Sequence, residues 1–525
     1  MSFNRKSVRD LTWAGWCVPV LGLLFSLLSG CTLPDLEGRN ASFALGQAES
    51  AETPLGQSIA PRAAKQPGKT GIHALHDPHD AFAARVLLTR AAAKTLDVQY
   101  YIWRGDTTGT LLLEELHAAA QRGVRVRLLL DDNGTTGLDA ELAALDSHPN
   151  IEIRLFNPFV IRVPKMIGFL TDFMRANRRM HNKSFTADSQ ATIIGGRNVG
   201  DEYFGATAGV LFADLDVLAV GTVVADVSAD FDRYWASESS YPAPLVLAES
   251  NKGQLQAFSE TAKGVANTPE ALEYIQAIRD SAFFSNLLQG ELALEWAFTR
   301  MVSDDPAKGL GMAEREGLLM HQLGEILGEP KTDVELISPY FVPTAAGTEA
   351  FARLAERGVR ISVLTNSLDA TDVTAVHAGY AKRRKDLLEA GIRLYELRRM
   401  SPDRTRAQTP GPFGSSGSSL HAKTFAVDRA RVFVGSFNFD PRSANLNTEL
   451  GFVIESPIMA QAIEDAFGGT IPASSYEVLL SDSGKLYWLE RGANGLVRHD
   501  TEPHTSFWKR SSVSLLSMLP IEWML

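Results

Sequence analysis

Cysteine is almost missing from this chain: among 525 residues there are two, Cys17 and Cys31, both near the amino terminus. No disulfide framework can brace the body of the protein. Positive charge is in short supply as well, with 51 basic against 62 acidic residues and a formal net charge of -11. That balance removes the general electrostatic attraction on which nucleic-acid binding relies, so no nucleic-acid partner is expected. HExxH, paired CxxC and clustered carboxylate motifs are absent, and with them any reason to expect a metal or a cofactor.

Long apolar runs are lacking too, with one exception. Leu11 to Leu28 follows Arg5, Lys6 and Arg9, the layout of an export signal. The run ends in LLSGC, which resembles the lipobox of bacterial lipoproteins and would make Cys31 a lipidation site, with residues 1–31 as signal peptide. An uncleaved membrane anchor of about 18 apolar residues is the alternative. Either reading predicts a protein of the bacterial cell envelope, anchored to a membrane, with its body facing the periplasm or the exterior. Residues 32–71 are rich in Ala, Gly, Pro, Ser and charge without apolar period, and read as a flexible tether.

What the chain does have, it has twice. KTLDVQYYIW at 94–103 is answered by KTDVELISPYFV at 331–342, and AAAQRGVRVRLLLD at 118–131 by ARLAERGVRISVLTN at 352–366. HNKSFTAD at 181–188 returns as HAKTFAVD at 421–428. This is a tandem duplication. The expected division is a first domain over 72–247, a connector over 248–288, a second domain over 289–470 and a C-terminal tail over 471–525. β-Branched runs follow helical patterns in each copy, so the fold class is α/β, with helices covering a parallel or mixed sheet.

In HNKSF, side chains two apart share a face only if the backbone is extended, because a helix would turn them about 200° from each other. A strand would aim His181 and Lys183 the same way and place Asp188 at its end. A second strand then leads into Gly195-Gly196-Arg197-Asn198, and in the repeat into Gly435-Ser436-Phe437-Asn438.

The doubled pattern resembles the phospholipase D superfamily, whose HxKxxxxD signature is followed by GG or GS and then x-N in both halves. The resemblance implies two α-β-α sandwich domains related by a pseudo-twofold, with the active site at their interface. It implies catalytic roles for His181, Lys183, Asp188, His421, Lys423 and Asp428. Asn198, Asn438 and Ser436 would bind phosphate, and Glu449 would orient a histidine. Asp214 occupies the equivalent place in the first half, where a shorter side chain must reach as far.

The residue types fit the chemistry. Breaking a phosphodiester needs a nucleophile, neutralisation of the non-bridging oxygens and a proton for the leaving alkoxide. One imidazole can form a phosphohistidine while the other protonates the departing oxygen, and the lysines provide the positive charge. Family usage makes His181 the nucleophile and His421 the acid, although the near symmetry of the motifs leaves that assignment open. TLDVQYYIW, NRRMHNKSF, VHAGYAKRRKDLL and SFNFDPRSANLNTELGFVIES together look like bacterial cardiolipin synthases of the C type. That resemblance implies transfer of a phosphatidyl group from phosphatidylglycerol or phosphatidylethanolamine to phosphatidylglycerol. A phospholipase-type phosphodiesterase using water is the alternative.

Two segments suit a bilayer surface as a partner. VIRVPKMIGFLTDFMRANRRM at 160–180 mixes apolar residues with Arg162, Lys165, Arg175, Arg178 and Arg179, and the tail sets Trp508 and Trp523 near Lys509 and Arg510. The sequence specifies no protein partner.

Overall fold

The two copies of the repeat build two mixed sheets that meet across a shared core. The structure is a computed structural model describing residues 33–207, 211–399, 419–492 and 495–525. Cys31 and the expected signal and lipobox over 1–31 lie outside the described residues. No helix among the described residues is long and apolar enough to cross a membrane.

In the first sheet Thr95–Ile102, Arg125–Gly134 and Ile151–Phe156 run parallel, linked by helices. Ser184–Ala187, Ala191–Gly195 and Asp216–Gly221 continue it antiparallel, beside the first of these strands. The second sheet repeats the plan. Asp333–Ile337, Arg360–Asn366 and Arg393–Leu397 are parallel, and Thr424–Val427, Arg431–Gly435 and Leu450–Ile454 are antiparallel. The parallel strands read as apolar runs because helices cover them, as the burial of Val126, Leu128, Leu130, Ile361 and Val363 shows. Ile194, Val217 and Ala219 of the first sheet share one cluster with Ala426, Val432, Val434 and Phe452 of the second. That cluster fixes the two sheets against each other.

Four expectations about the chain's divisions are corrected. Residues 33–69, read as part of a flexible tether, pack on the first domain and form helices Gln47–Ala51 and Pro54–Ala63. Their backbone carbonyls, at Asn40 and Ser42, accept from the buried guanidinium groups of Arg154 and Arg127 at 2.6 and 2.8 Å. A polar composition hides such a role because backbone carbonyls make several of the contacts. Residues 248–288, read as a connector, form three helices whose Phe258, Ala262, Tyr274, Ile278 and Phe283 complete the first domain's core. The strand Glu295–Ala297, expected in the second domain, pairs with Thr70–Leu75 of the first sheet. The tail is in part sheet: Ser475–Leu480, Leu486–Gly492 and Gly495–His499 extend the second sheet at its edge.

The two motif aspartates are corner latches of this fold. Asp188, at φ 51°, accepts from the backbone N–H groups of Ala93, Lys94 and Thr95 at 2.7 to 2.9 Å. Asp428, at φ 54°, does the same for Lys331, Thr332 and Asp333. Each carboxylate ties the start of one strand to the end of its neighbour. Asp188→Ala would leave three donors unpaired at a buried corner and is expected to cost about 2 to 3 kcal/mol of stability. Asp428→Ala, at a more open corner, should cost less; comparing denaturation midpoints of the two variants checks this.

Candidate active site

The histidines and lysines do not lie within the strands, as the alternation suggested, but in the lead-ins just before them. The strands begin at Ser184 and Thr424, and residues 181–183 and 421–423 pair instead with the opposite half. His181 N donates to Thr448 O at 2.9 Å, while Thr448 N donates to Arg179 O. In the other direction His421 N and Ala422 N both donate to Ala213 O, and Phe212–Ala213 runs parallel to Ser419–Leu420. The residue before each histidine is pinned by a side chain from the end of a parallel strand. Asp131 accepts from Met180 N at 2.7 Å, and Asn366 brackets Leu420 through both its amide atoms.

This exchange decides which carboxylate serves which histidine. His181 Nδ1 lies 2.8 Å from Glu449 Oε2, and His421 Nδ1 lies 2.5 Å from Asp214 Oδ2. Each histidine is oriented by the other half. A carboxylate only accepts, so Nδ1 carries the hydrogen and Nε2 is left as the basic nitrogen. The shorter Asp214 does reach, because the glycine before it on the neighbouring strand lets it approach: a Cβ on Gly196 would stand 2.0 Å from Asp214 Oδ1. At the equivalent position the second half has Ser436, whose hydroxyl donates to the longer Glu449.

Burial and proximity set the charges. Both histidines and both lysines are buried, with His181 and His421 each 6% exposed and Lys183 and Lys423 each 1%. Desolvation, then the two lysines, hold His181 well below the usual histidine range. His421 is lowered by burial and Lys423, with Asp214 opposing the shift. Asp214 is held down to about 2 against its burial, chiefly by His421 beside it. Burial pushes Glu449 up to about 7, against the pull of Lys183. Desolvation lowers Lys183 to about 7 and Lys423 to about 8. The two imidazoles therefore sit in different surroundings, His421 beside a carboxylate held low and His181 beside a carboxyl pushed up by burial.

The two histidines face one cleft of about 600 Å³ between the halves, where they meet Asn198 and Asn438, while Lys183 and Lys423 lie buried behind them, donating to the carbonyls of His181 and His421. Asn198 is already engaged, accepting from Ile102 N at 3.1 Å and donating to the Tyr203 hydroxyl at 3.1 Å. Asp188 and Asp428 are not in the cleft. Their expected catalytic role is corrected to the latching role above, since a whole four-residue strand separates each of them from its motif's lead-in. Motif spacing could not reveal this, because conserving a corner and conserving a reactive group leave the same letter in the sequence.

Several lining residues were not foreseen. Tyr101 packs edge-on against His181 at 5.0 Å, and Tyr203 and Phe212 pack against His421 at 5.2 Å. Met524 and Leu525 also line the cleft, held by Arg442, which accepts nothing and donates to the backbone carbonyl of Met524 at 3.0 Å. Only the repeat alignment gave a signal here: Phe212 and Asn447 each stand two residues before the orienting carboxylate. Among the described residues no group of three His, Cys, Asp or Glu side chains is placed to hold a metal ion.

The basic residues of 160–180, expected to face a bilayer, are turned inward. Arg162 and Lys165 pair with Asp132, Arg175 with Asp172, and Arg179 with Asp131, while Arg178 donates to Lys308 O and Asn445 O. The side chains left exposed are apolar: Val163, Met166, Leu170 and Met174. In the tail, Trp508 and Trp523 are exposed as well.

A family model described as cardiolipin synthase, PLD-like domain, matches the chain twice, at residues 86–235 and 323–471. The chain is 50% identical to cardiolipin synthase C of Escherichia coli over 471 residues, covering 90% of this chain and 99% of that protein. It is 32% identical over 479 residues to an uncharacterised protein of Helicobacter pylori, covering 89% and 92% of the two chains. Among solved structures, phosphatidylserine synthase of Haemophilus influenzae matches with a TM-score of 0.54 and 16% identity, covering 90% of this chain and 100% of that one. At that identity the likeness concerns the fold alone.

The charges of the cleft predict a narrow pH optimum for turnover of a phosphodiester. As pH rises, Lys183 and Lys423 lose their protons at about 7 and about 8, far below an ordinary lysine. As pH falls, Glu449 gains a proton at about 7 and no longer accepts from His181 Nδ1. The expected kcat/KM profile is a narrow bell centred near pH 7, because the acid limb of Glu449 and the alkaline limb of Lys183 fall together. A profile flat up to the range of ordinary lysines would contradict the assignment.

Proposed function

The chain belongs to the cardiolipin synthase family of phospholipase D-like proteins, and we propose that it moves a phosphatidyl group from a phospholipid donor to the glycerol headgroup of phosphatidylglycerol at the cleft between its halves. The observation that carries this reading is the pair of cross-braced histidines facing one cleft, each with a buried lysine on its own carbonyl.

His181 Nε2 attacks the phosphorus of the donor. The bond from phosphorus to the headgroup oxygen breaks, and His421, which enters the cycle as an imidazolium facing ionised Asp214, gives its Nε2 proton to that oxygen as the alcohol leaves. The acceptor's hydroxyl then returns a proton to His421 while its oxygen attacks phosphorus, which breaks the P–N bond and restores His181 Nε2. Lys183 and Lys423 offset the charge on the non-bridging oxygens in both steps, in surroundings dry enough to give that attraction weight.

A phosphohistidine reacts with any hydroxyl that reaches it, so transfer rather than hydrolysis requires a positioned acceptor and little water. The apolar side chains of Val163, Met166, Leu170 and Met174 lie on the segment that leads into His181, and Trp523 adjoins the cleft-lining Met524. Both support a reading in which the cleft is applied to a bilayer and its lipids enter from the hydrocarbon side. The leader and Cys31 would anchor the protein in the cell envelope with the domains facing the periplasm or the exterior, which fits a docked rather than a membrane-spanning body.

On vesicles rich in phosphatidylglycerol the main product is expected to be cardiolipin, and His181→Ala should lose at least about a thousandfold of the rate. If phosphatidic acid is the main product on such vesicles, the chain is a hydrolase. Leu170→Ser combined with Trp523→Ser should weaken sedimentation with the same vesicles and raise the share of phosphatidic acid. Unchanged sedimentation and an unchanged product ratio would rule out docking through these side chains.

A further inference from the structure

The short helices that follow the two motif asparagines are equivalent in the repeat and differently covered. In the first half Asp201–Phe204 buries Phe204 completely, and the Phe204 carbonyl accepts at 2.9 Å from the hydroxyl of Tyr274, which belongs to the helices over 252–288. In the second half Pro441–Asn445 has Ala444 in the place of Phe204. Among the described residues no helix covers it as Tyr274 covers Phe204, because the chain beyond the second half's core goes to the sheet edge and to Ala378. A groove of about 390 Å³ is left, walled by Val342, Phe351, Leu354, Phe439, Pro441 and Ala444.

The groove adjoins the active site. Asp440 lines both the groove and the catalytic cleft, and the helix Pro441–Asn445 divides the two, with Ala444 and Asn445 facing the groove and Arg442 and Ser443 the cleft. This helix stands on the side of His181, since the chain goes from it to Thr448 and Glu449, which hold that histidine. It is also tied to the segment that carries the exposed Leu170 and Met174: Arg442 donates to Asn177 O at 3.1 Å and to Asn177 Oδ1 at 2.8 Å, and Arg178 donates to Asn445 O at 3.1 Å. The groove therefore borders both the surface expected to meet the bilayer and the histidine expected to carry the phosphatidyl group.

The walls narrow what can occupy it. Phe351 and Phe439 are half-buried with ring centroids 6.3 Å apart, and polar neighbours are engaged within the helix, where Asp440 accepts from Ser443 N at 2.7 Å and Asn445 Nδ2 donates to Pro441 O at 3.0 Å. A peptide laid there would set backbone N–H and C=O groups against aromatic rings without partners. An acyl chain has no polar group to satisfy.

We infer that this groove holds an acyl chain of the phosphatidyl group while that group is bonded to His181. The inference rests on the reading of the cleft as the site of a phosphatidyltransferase. The chain crosses from cleft to groove at Asp440, takes apolar surface out of water and fixes the lipid's glycerol backbone relative to His181. The site thereby prefers long-chain donors.

The test uses the full chain and vesicles of phosphatidylglycerol that carries a diazirine on one acyl chain. Irradiation is expected to give adducts in the peptides covering 342–354 and 437–445, and cardiolipin formation is measured on the same vesicles without light. Ala350 is exposed on the helix Thr344–Glu356 and lines the groove, so substitution there leaves the core intact. Ala350→Glu, which sets a charge in the groove, is expected to lower the groove adducts about tenfold, and to lower by about the same factor the kcat/KM preference for palmitoyl over hexanoyl phosphatidylglycerol in mixed micelles. Ala350→Leu should preserve both. Adducts confined to 163–174 and the tail, with cardiolipin still formed, overturn the groove and leave the transferase reading standing. Unchanged adducts and chain preference in Ala350→Glu also overturn it. Absence of cardiolipin, with or without groove adducts, sinks the transferase reading and with it the groove's role in transfer.

Discussion

Each histidine of this protein is completed by the opposite half, and the rest of the active site depends on that exchange. Backbone bonds from His181 to Thr448 and from His421 to Ala213 stitch the lead-ins of the two motifs to the far domain, and the next residue in each case is the orienting carboxylate. A half on its own would hold a buried imidazole with nothing to fix its tautomer, and a buried carboxylate with nothing to neutralise it. Such isolated charges are costly in a low-dielectric interior. The shared core between the sheets, where Val217 and Ile194 meet Val432 and Phe452, is what makes the pairing geometrically dependable.

Symmetry supplies the frame and departures from it supply the roles. Asp214 sits over Gly196 and stays ionised, whereas Glu449 needs the Ser436 hydroxyl and is pushed up to about 7. The side chains flanking the two imidazoles differ as well, with Tyr203 and Phe212 beside His421 and Tyr101 beside His181. A duplicated site can thus divide the work between nucleophile and acid without altering either motif. Two lysines buried beside the histidines complete the set, and desolvation lowers both.

The chain beyond the second domain's core is held to the cleft by a buried ionic network. Arg384, fully buried, contacts Glu396 and Glu502, and His377 meets Glu502 at 3.0 Å. Val513 packs on Leu368 and Ala378, and Arg442 binds the backbone of Met524 and Leu525 while reaching Asn177 of the first half. The tail is therefore part of the cleft's wall and not an appendage.

Much was legible in the sequence because a duplicated motif is a local signal. The α/β class, the mixed sheets, the reactive pairs His181 with Lys183 and His421 with Lys423, and the candidate carboxylates Asp214 and Glu449 follow from short-range patterns and from their repetition. Only the tertiary structure decided which carboxylate serves which histidine, because partners 207 and 268 residues apart are joined by a domain interface that no local pattern encodes. It also separated Asp188 and Asp428, which latch corners, from the residues in the cleft. Residues 33–69 changed from tether to packed segment because their carbonyls satisfy buried arginines, a role of the backbone that composition cannot display. The basic residues of 160–180 turned inward for the same kind of reason: acidic partners such as Asp131 and Asp132, distant in sequence, lie within reach only once the sheet has formed.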